Sequence, residues 1–164
     1  MSAEAIPVEL VGVRIELPTN QPIVLLRERG GTRHLPIWIG APEATAIALA
    51  LEGVEPQRPL THDLLQTAIT RLGASVDRVV ITGLSDGIYY ADLVLANGDG
   101  EVVVSARPSD AIALTARTGS PLFVAPAVLD EAGVEIQDEE EEEEVERFRD
   151  FLESVTPEDF GGTT

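Results

Sequence analysis

Val76 to Thr118 reads VDRVVITGLSDGIYYADLVLANGDGEVVVSARPSDAIALTART, three apolar runs divided by two tight turns and closed by a small-residue helix. Val76–Leu84 and Ile88–Ala96 are rich in β-branched and aromatic residues, and Ser85-Asp86-Gly87 between them is hairpin chemistry. Asn97-Gly98-Asp99-Gly100 turns the chain again, into Glu101–Ala106. The pattern then changes at Arg107-Pro108-Ser109-Asp110. Proline disfavours helical geometry at Arg107, and Ser109 is placed to cap the backbone donors that follow. Asp110 falls in the first turn, where the helix dipole favours negative charge.

Towards the N-terminus the same logic repeats. Val11, Val13, Ile15 and Leu17 alternate with Gly12, Arg14 and Glu16, the period of a half-buried strand. Strands at Ile23–Glu28 and Arg33–Ile39 follow, joined by turns at Pro18–Pro22 and Gly30-Gly31. Links this short cannot make parallel crossovers, so an antiparallel meander is expected. Ala44, Ile47, Ala48 and Leu51 then mark one face of a helix that ends near Gly53. A loop, Val54 to Leu60, leads to a helix opened by Thr61 and ended by Gly73, and a short strand is expected at Leu122–Ala125. Strands come in runs with helices grouped between them. The expected class is therefore α+β, a compact mixed or antiparallel sheet with about three helices.

Composition divides the chain. It has 164 residues and a net charge of −18. From Asp130 onward there are 15 acids and 2 arginines, net −13, against −5 for residues 1–129. The reading is one domain over 1–134 and an acidic C-terminal tail over 135–164, partly disordered. The run Asp138–Glu144 repels itself, and Phe148, Phe151 and Leu152 could form an amphipathic turn or two. No cysteine is present, which excludes disulfides, thiol nucleophiles and thiolate metal sites. No apolar stretch could span a bilayer, so a cytoplasmic protein without a membrane partner is expected. The chain also lacks a linear basic patch, a phosphate-binding glycine loop, zinc spacing and a serine nucleophile elbow.

Two segments share a pattern. Arg58-Pro59-Leu60-Thr61-His62-Asp63 runs into a helix, as does Arg107-Pro108-Ser109-Asp110. With Leu35-Pro36-Ile37-Trp38-Ile39-Gly40 and Glu43-Ala44, these blocks resemble the bifunctional nuclease family in order and spacing. The similarity spans roughly Val8 to Val128. It implies a compact α+β fold, a homo-oligomer, and DNase and RNase activity with nucleic acid as substrate. Many members carry an acid just before the Ala-Arg-Pro-Ser-Asp block, where this chain has Ser105.

Residue chemistry and resemblance together give each group a role. Phosphodiester hydrolysis needs an activated water, charge stabilisation on the phosphate and often a divalent metal. His62 is the candidate general base, since an imidazole titrates nearer neutral pH than other side chains. Asp63 and Asp110 are candidate catalytic carboxylates and, with Glu43, candidate ligands for Mg²⁺ or Mn²⁺. Arg58, Arg107 and Ser109 are candidate phosphate contacts at helix openings, where backbone donors already point outward. The expected activity is metal-dependent hydrolysis of DNA and RNA with low sequence specificity.

A simpler reading stands beside it. Thr61 and Ser109 serve as ordinary caps, each worth about 1 kcal/mol. Asp63, Asp110 and Glu43 serve the helix dipoles, and Arg58 and Arg107 pair with the acids. The chain is then a non-catalytic oligomeric regulatory module whose acidic tail takes a basic protein partner. Elsewhere, Trp38, in an apolar strand, is expected to pack in the core or at an interface, and His34 to be solvated. Of Tyr89 and Tyr90, adjacent on one strand, one should pack and one face out.

Overall fold

A computed structural model describes residues 4–136, 147 and 149–151. The first strand starts earlier than its alternation suggested: β1 spans Ile6–Glu16, and it is followed by β2 (Gln21–Glu28) and β3 (Arg33–Trp38). Their pairing is the expected antiparallel meander, with a bulge in β1 between Leu10 and Gly12. After α1 (Ala41–Leu51) and α2 (Thr61–Arg71) comes the second meander, β4 (Ser75–Ser85), β5 (Ile88–Asn97) and β6 (Gly100–Ala106). Asp86 and Gly87 both hold positive φ, 52° and 78°, as a two-residue hairpin turn with the twist of its strands requires. Then follow α3 (Pro108–Thr118), β7 (Leu122–Val124), α4 (Pro126–Ala132) and β8 (Val134–Glu135).

All eight strands form one sheet, ordered β6-β5-β4-β7-β1-β2-β3-β8. The three residues of β7 join the two meanders, antiparallel to β1 and parallel to β4, which makes the sheet mixed. The α+β class holds. The helix count is higher than expected, because α4 is a further helix and residues 147 and 149–151 are also helical. Most of the acidic tail, including Asp138–Glu144, Phe148 and Leu152, lies outside the described residues.

The core centres on α3. Ala111, Ile112, Ala113 and Leu114 are each 0% exposed. Four consecutive residues cover every direction around a helix, so α3 is packed on all sides. It lies against α1, α2, β4 and β5. Alanines at 111 and 113 let these neighbours approach closely, while Ile112 and Leu114 fill the space beyond.

Three local expectations are corrected. Thr61 and Ser109 do not cap their helices. Leu64 N–H donates to the Leu60 carbonyl and Ala111 N–H to the Arg107 carbonyl, so the cap positions belong to Leu60 and Arg107. In α3 the reason is Pro108, whose fixed φ suits the first helical position and moves Ser109 one place inward. His34 is buried, with Nδ1 3.0 Å from the Thr32 carbonyl oxygen, because pairing of its strand with Arg27 of β2 and Val134 of β8 covers it. Trp38 is 51% exposed, and its Nε1–H donates to Glu16. Leu35 and Ile37 take the core side of β3, so alternation sends Trp38 to the other face. The tyrosines divide as expected: Tyr89 packs on the core and Tyr90 is exposed.

Candidate active site at three helix openings

The first turns of α1, α2 and α3 supply the ionisable residues singled out above. Glu43 lies in the first turn of α1, Asp63 in that of α2 and Asp110 in that of α3. His62 precedes Asp63 and is buried. His62 Nε2 lies 2.9 Å from Asp110 Oδ1, joining two helices whose residues stand 48 apart in the chain. Arg107 donates through Nε to Asp110 Oδ2 at 2.8 Å and through Nη2 to Glu43 Oε1 at 2.9 Å. One chain of contacts therefore runs Glu43–Arg107–Asp110–His62. Gly40 supports its first member, since a Cβ there would overlap the Glu43 carboxylate.

Asp63 faces a different partner. Arg117, in the last turn of α3, donates from Nε to Asp63 Oδ1 at 2.7 Å and from Nη1 to the Ala113 carbonyl. Asp63 Oδ2 accepts the Leu60 N–H at 3.0 Å. The start of α2 thus rides across α3, with His62 tied to one end and Asp63 to the other. Arg117 was not singled out from the sequence. A basic residue in a last helical turn reads as a dipole partner, and nothing local links it to an acid 54 residues away.

Two residues lie apart from this network. Arg58 is exposed in the link before α2 and makes no hydrogen bond or ion pair among the described residues. Ser109 is buried at 7% exposure, and its hydroxyl makes no hydrogen bond to another described residue.

The surroundings favour the ionised forms of both aspartates. Burial pushes the Asp110 carboxyl upward, but hydrogen bonds from Arg107 and His62 outweigh it and hold the group below the usual carboxylate range. Asp63 behaves alike: burial raises it, and donation from Arg117 and the Leu60 N–H brings it below its ordinary value. The Asp110 and Glu43 carboxylates raise the Arg107 guanidinium. With Asp110 ionised, the proton between it and His62 sits on Nε2. The lone pair of a neutral ring is then on Nδ1, which has no hydrogen-bond partner among the described residues.

A carboxylate depressed in the folded state stabilises the fold above its unfolded pKa, and that stability disappears as pH falls through the folded value. Both aspartates therefore stabilise the fold above about pH 4 and lose the effect below it. Thermal unfolding followed from pH 7 down to 2 should show this decline, and the double variant Asp63→Asn, Asp110→Asn should show a shallower one.

The carboxylates do not form a ready ligand set. Each is engaged by a guanidinium, an imidazole or a backbone N–H, and among the described residues no three His, Asp or Glu side chains gather closely enough to hold a metal. Glu43, Asp63 and Asp110 would have to give up these partners to bind Mg²⁺ or Mn²⁺.

The bifunctional nuclease domain model matches residues 24–137, which include all of these helix openings. The chain belongs to the bifunctional nuclease domain family. Two relatives from Mycobacterium tuberculosis, "Uncharacterized protein MT1877" of strain CDC 1551 / Oshkosh and "Uncharacterized protein Rv1829" of strain ATCC 25618 / H37Rv, are each 52% identical to it. The similarity to each covers 95% of this chain and 98% of theirs. The family match begins at Val24 in β2 and so takes in α1, α2, α3 and the second meander. No helix among the described residues is long and apolar enough to cross a membrane.

Proposed function

We propose that this member of the family is a cytoplasmic nuclease that hydrolyses phosphodiester bonds of DNA and RNA with little sequence preference. The observation that carries the reading is the His62–Asp110 contact at 2.9 Å. Asp110 holds the ring in the tautomer with Nε2 protonated, and Nδ1 accepts a proton from the attacking water. Arg107, 65% exposed at its side chain, turns remaining guanidinium donors to a phosphate oxygen while anchoring Asp110 and Glu43. Asp63 acts at one remove, through Arg117, by fixing how α2 sits on α3. Glu43, Asp63 and Asp110 would hold Mg²⁺ or Mn²⁺ only after leaving their present partners, and a bound ion would supply charge stabilisation on the phosphate. Metal dependence is tested by assaying with Mg²⁺, with Mn²⁺ and with chelator.

The test is hydrolysis of single- and double-stranded DNA and RNA by the wild type, His62→Ala and Asp110→Ala. Activity unchanged in both variants would remove the assignment and point to a contaminant. Arg58 supplies a separate probe, since it makes no hydrogen bond or ion pair among the described residues. Arg58→Ala should raise KM and leave kcat within a few-fold. It should also reduce the slope of log affinity against log salt by about 1, the loss of one phosphate contact. An unchanged salt slope would place Arg58 away from the substrate.

A second reading rests on the same ion pairs. Glu43, Asp63 and Asp110 are each held by an arginine, as in a scaffold that pins three helices together. A non-catalytic oligomeric module of that kind would use its acidic tail to bind a basic protein. Removing residues 138–164 discriminates: the module loses its partner, whereas the nuclease keeps or gains activity as repulsion of the substrate falls.

A further inference from the structure

Strand β6 ends the sheet with its outer edge uncovered among the described residues. Val102, Val103 and Val104 are 47%, 57% and 41% exposed, so apolar surface lies on both faces of the strand. Its register with β5 is regular from Gly100 to Ala106, with no bulge. Soluble proteins usually blunt a free edge with a proline, a bulge or an unpaired charge. Here the one charge, Glu101, is held by Arg78 at 2.9 Å.

The direction of the free backbone groups follows from the hairpin. Asn97 and Gly100 close it as a hydrogen-bonded pair across a two-residue turn. Bonding then alternates, so Gly100, Val102, Val104 and Ala106 turn their backbone to β5, and Glu101, Val103 and Ser105 turn theirs outward. We infer that this edge pairs with β6 of a second copy of the chain, antiparallel, about a two-fold axis at Val103. In that register Val103 meets Val103, Val102 meets Val104, and Glu101 meets Ser105. Every outward N–H and C=O of the three residues finds a partner, and no two acids oppose each other. Moving the register so that Glu101 meets Glu101 would set like charges together and leave Val103 opposite the turn. The edge is thus self-complementary in this register, as an isologous contact requires. The same register brings the β5–β6 turn of each copy beside Arg107 of the other. The pairing does not depend on the reaction proposed above.

Sedimentation of the full chain tests it, with Val103→Pro and Val103→Lys as variants. The Val103 N–H points away from β5, so proline removes a bond to the second copy and leaves the β5 ladder intact. Lysine keeps the backbone and places a charge at the axis. The wild type should sediment at twice the 17.5 kDa chain mass, and both variants at the single-chain mass with unchanged circular dichroism. If proline disturbs folding, lysine alone decides. Because the chain has no cysteine, Val103→Cys supplies a unique thiol that a short bis-maleimide should link into a covalent dimer. A wild type that stays single at high concentration, an assembly whose mass survives both variants, or a dimer in which Val103→Cys does not cross-link would overturn the pairing.

Discussion

On the proposed reading, His62→Ala should lower phosphodiester hydrolysis by about 10²- to 10⁴-fold, the range for losing a positioned general base. The loss should fall on kcat, because the imidazole acts on water rather than on substrate binding. Asp110→Asn should lower kcat by a comparable factor. It removes the negative charge that stabilises the imidazolium, and its amide can donate to Nε2 and shift the ring proton to Nδ1, where it blocks the base. His62 is buried and bridges α2 to α3, so each variant must be checked for an unchanged circular dichroism spectrum before its rate is interpreted. A folded His62→Ala with wild-type kcat removes the imidazole from the reaction.

Leu114→Ala has the largest expected effect on stability. Its side chain is 0% exposed in α3, the helix that packs against two sheet strands and two other helices. The loss combines lost burial with an unfilled cavity, about 2–5 kcal/mol. For a chain of this size that is a fall in Tm of about 5–15 °C. Leu64→Ala is the matched control. The same three carbons leave an α2 position that is 59% exposed, and the change should stay within about 0.5 kcal/mol. Denaturant unfolding of both variants checks the contrast. Equal losses would mean that α3 is not the centre of the core.

Much of this arrangement was legible because its signals are local. The β4–β5 hairpin could be read from Asp86-Gly87 and the flanking β-branched residues. The helix openings could be read from Pro59 and Pro108, each with a hydroxyl residue and an acid within the next four positions. Their meeting in space had no such signal, and neither did the Arg117–Asp63 pair. Both depend on how three helices cross, which alternation and capping patterns do not encode. The exposure of Trp38 is different. Leu35, Ile37 and Ile39 already claim one face of the strand, so the period itself sends the indole outward; residue type suggested burial and alternation opposed it. His34 lies on that outward face too, yet β8, a strand of two residues, closes over it. A pairing that short carries no periodicity to read. The same holds for α4, whose seven residues are too few to establish a helical repeat.

The three residues of β7 carry a consequence for biosynthesis. Two meanders, complete by Trp38 and by Ala106, are stitched into one sheet only when Leu122–Val124 has been made. On the ribosome, β1 and β4 each wait with an open edge until the last quarter of the polypeptide emerges. Nascent chains stopped before Leu122 should therefore be sticky and chaperone-bound, while chains long enough to carry β7 clear of the ribosome should let the two meanders join.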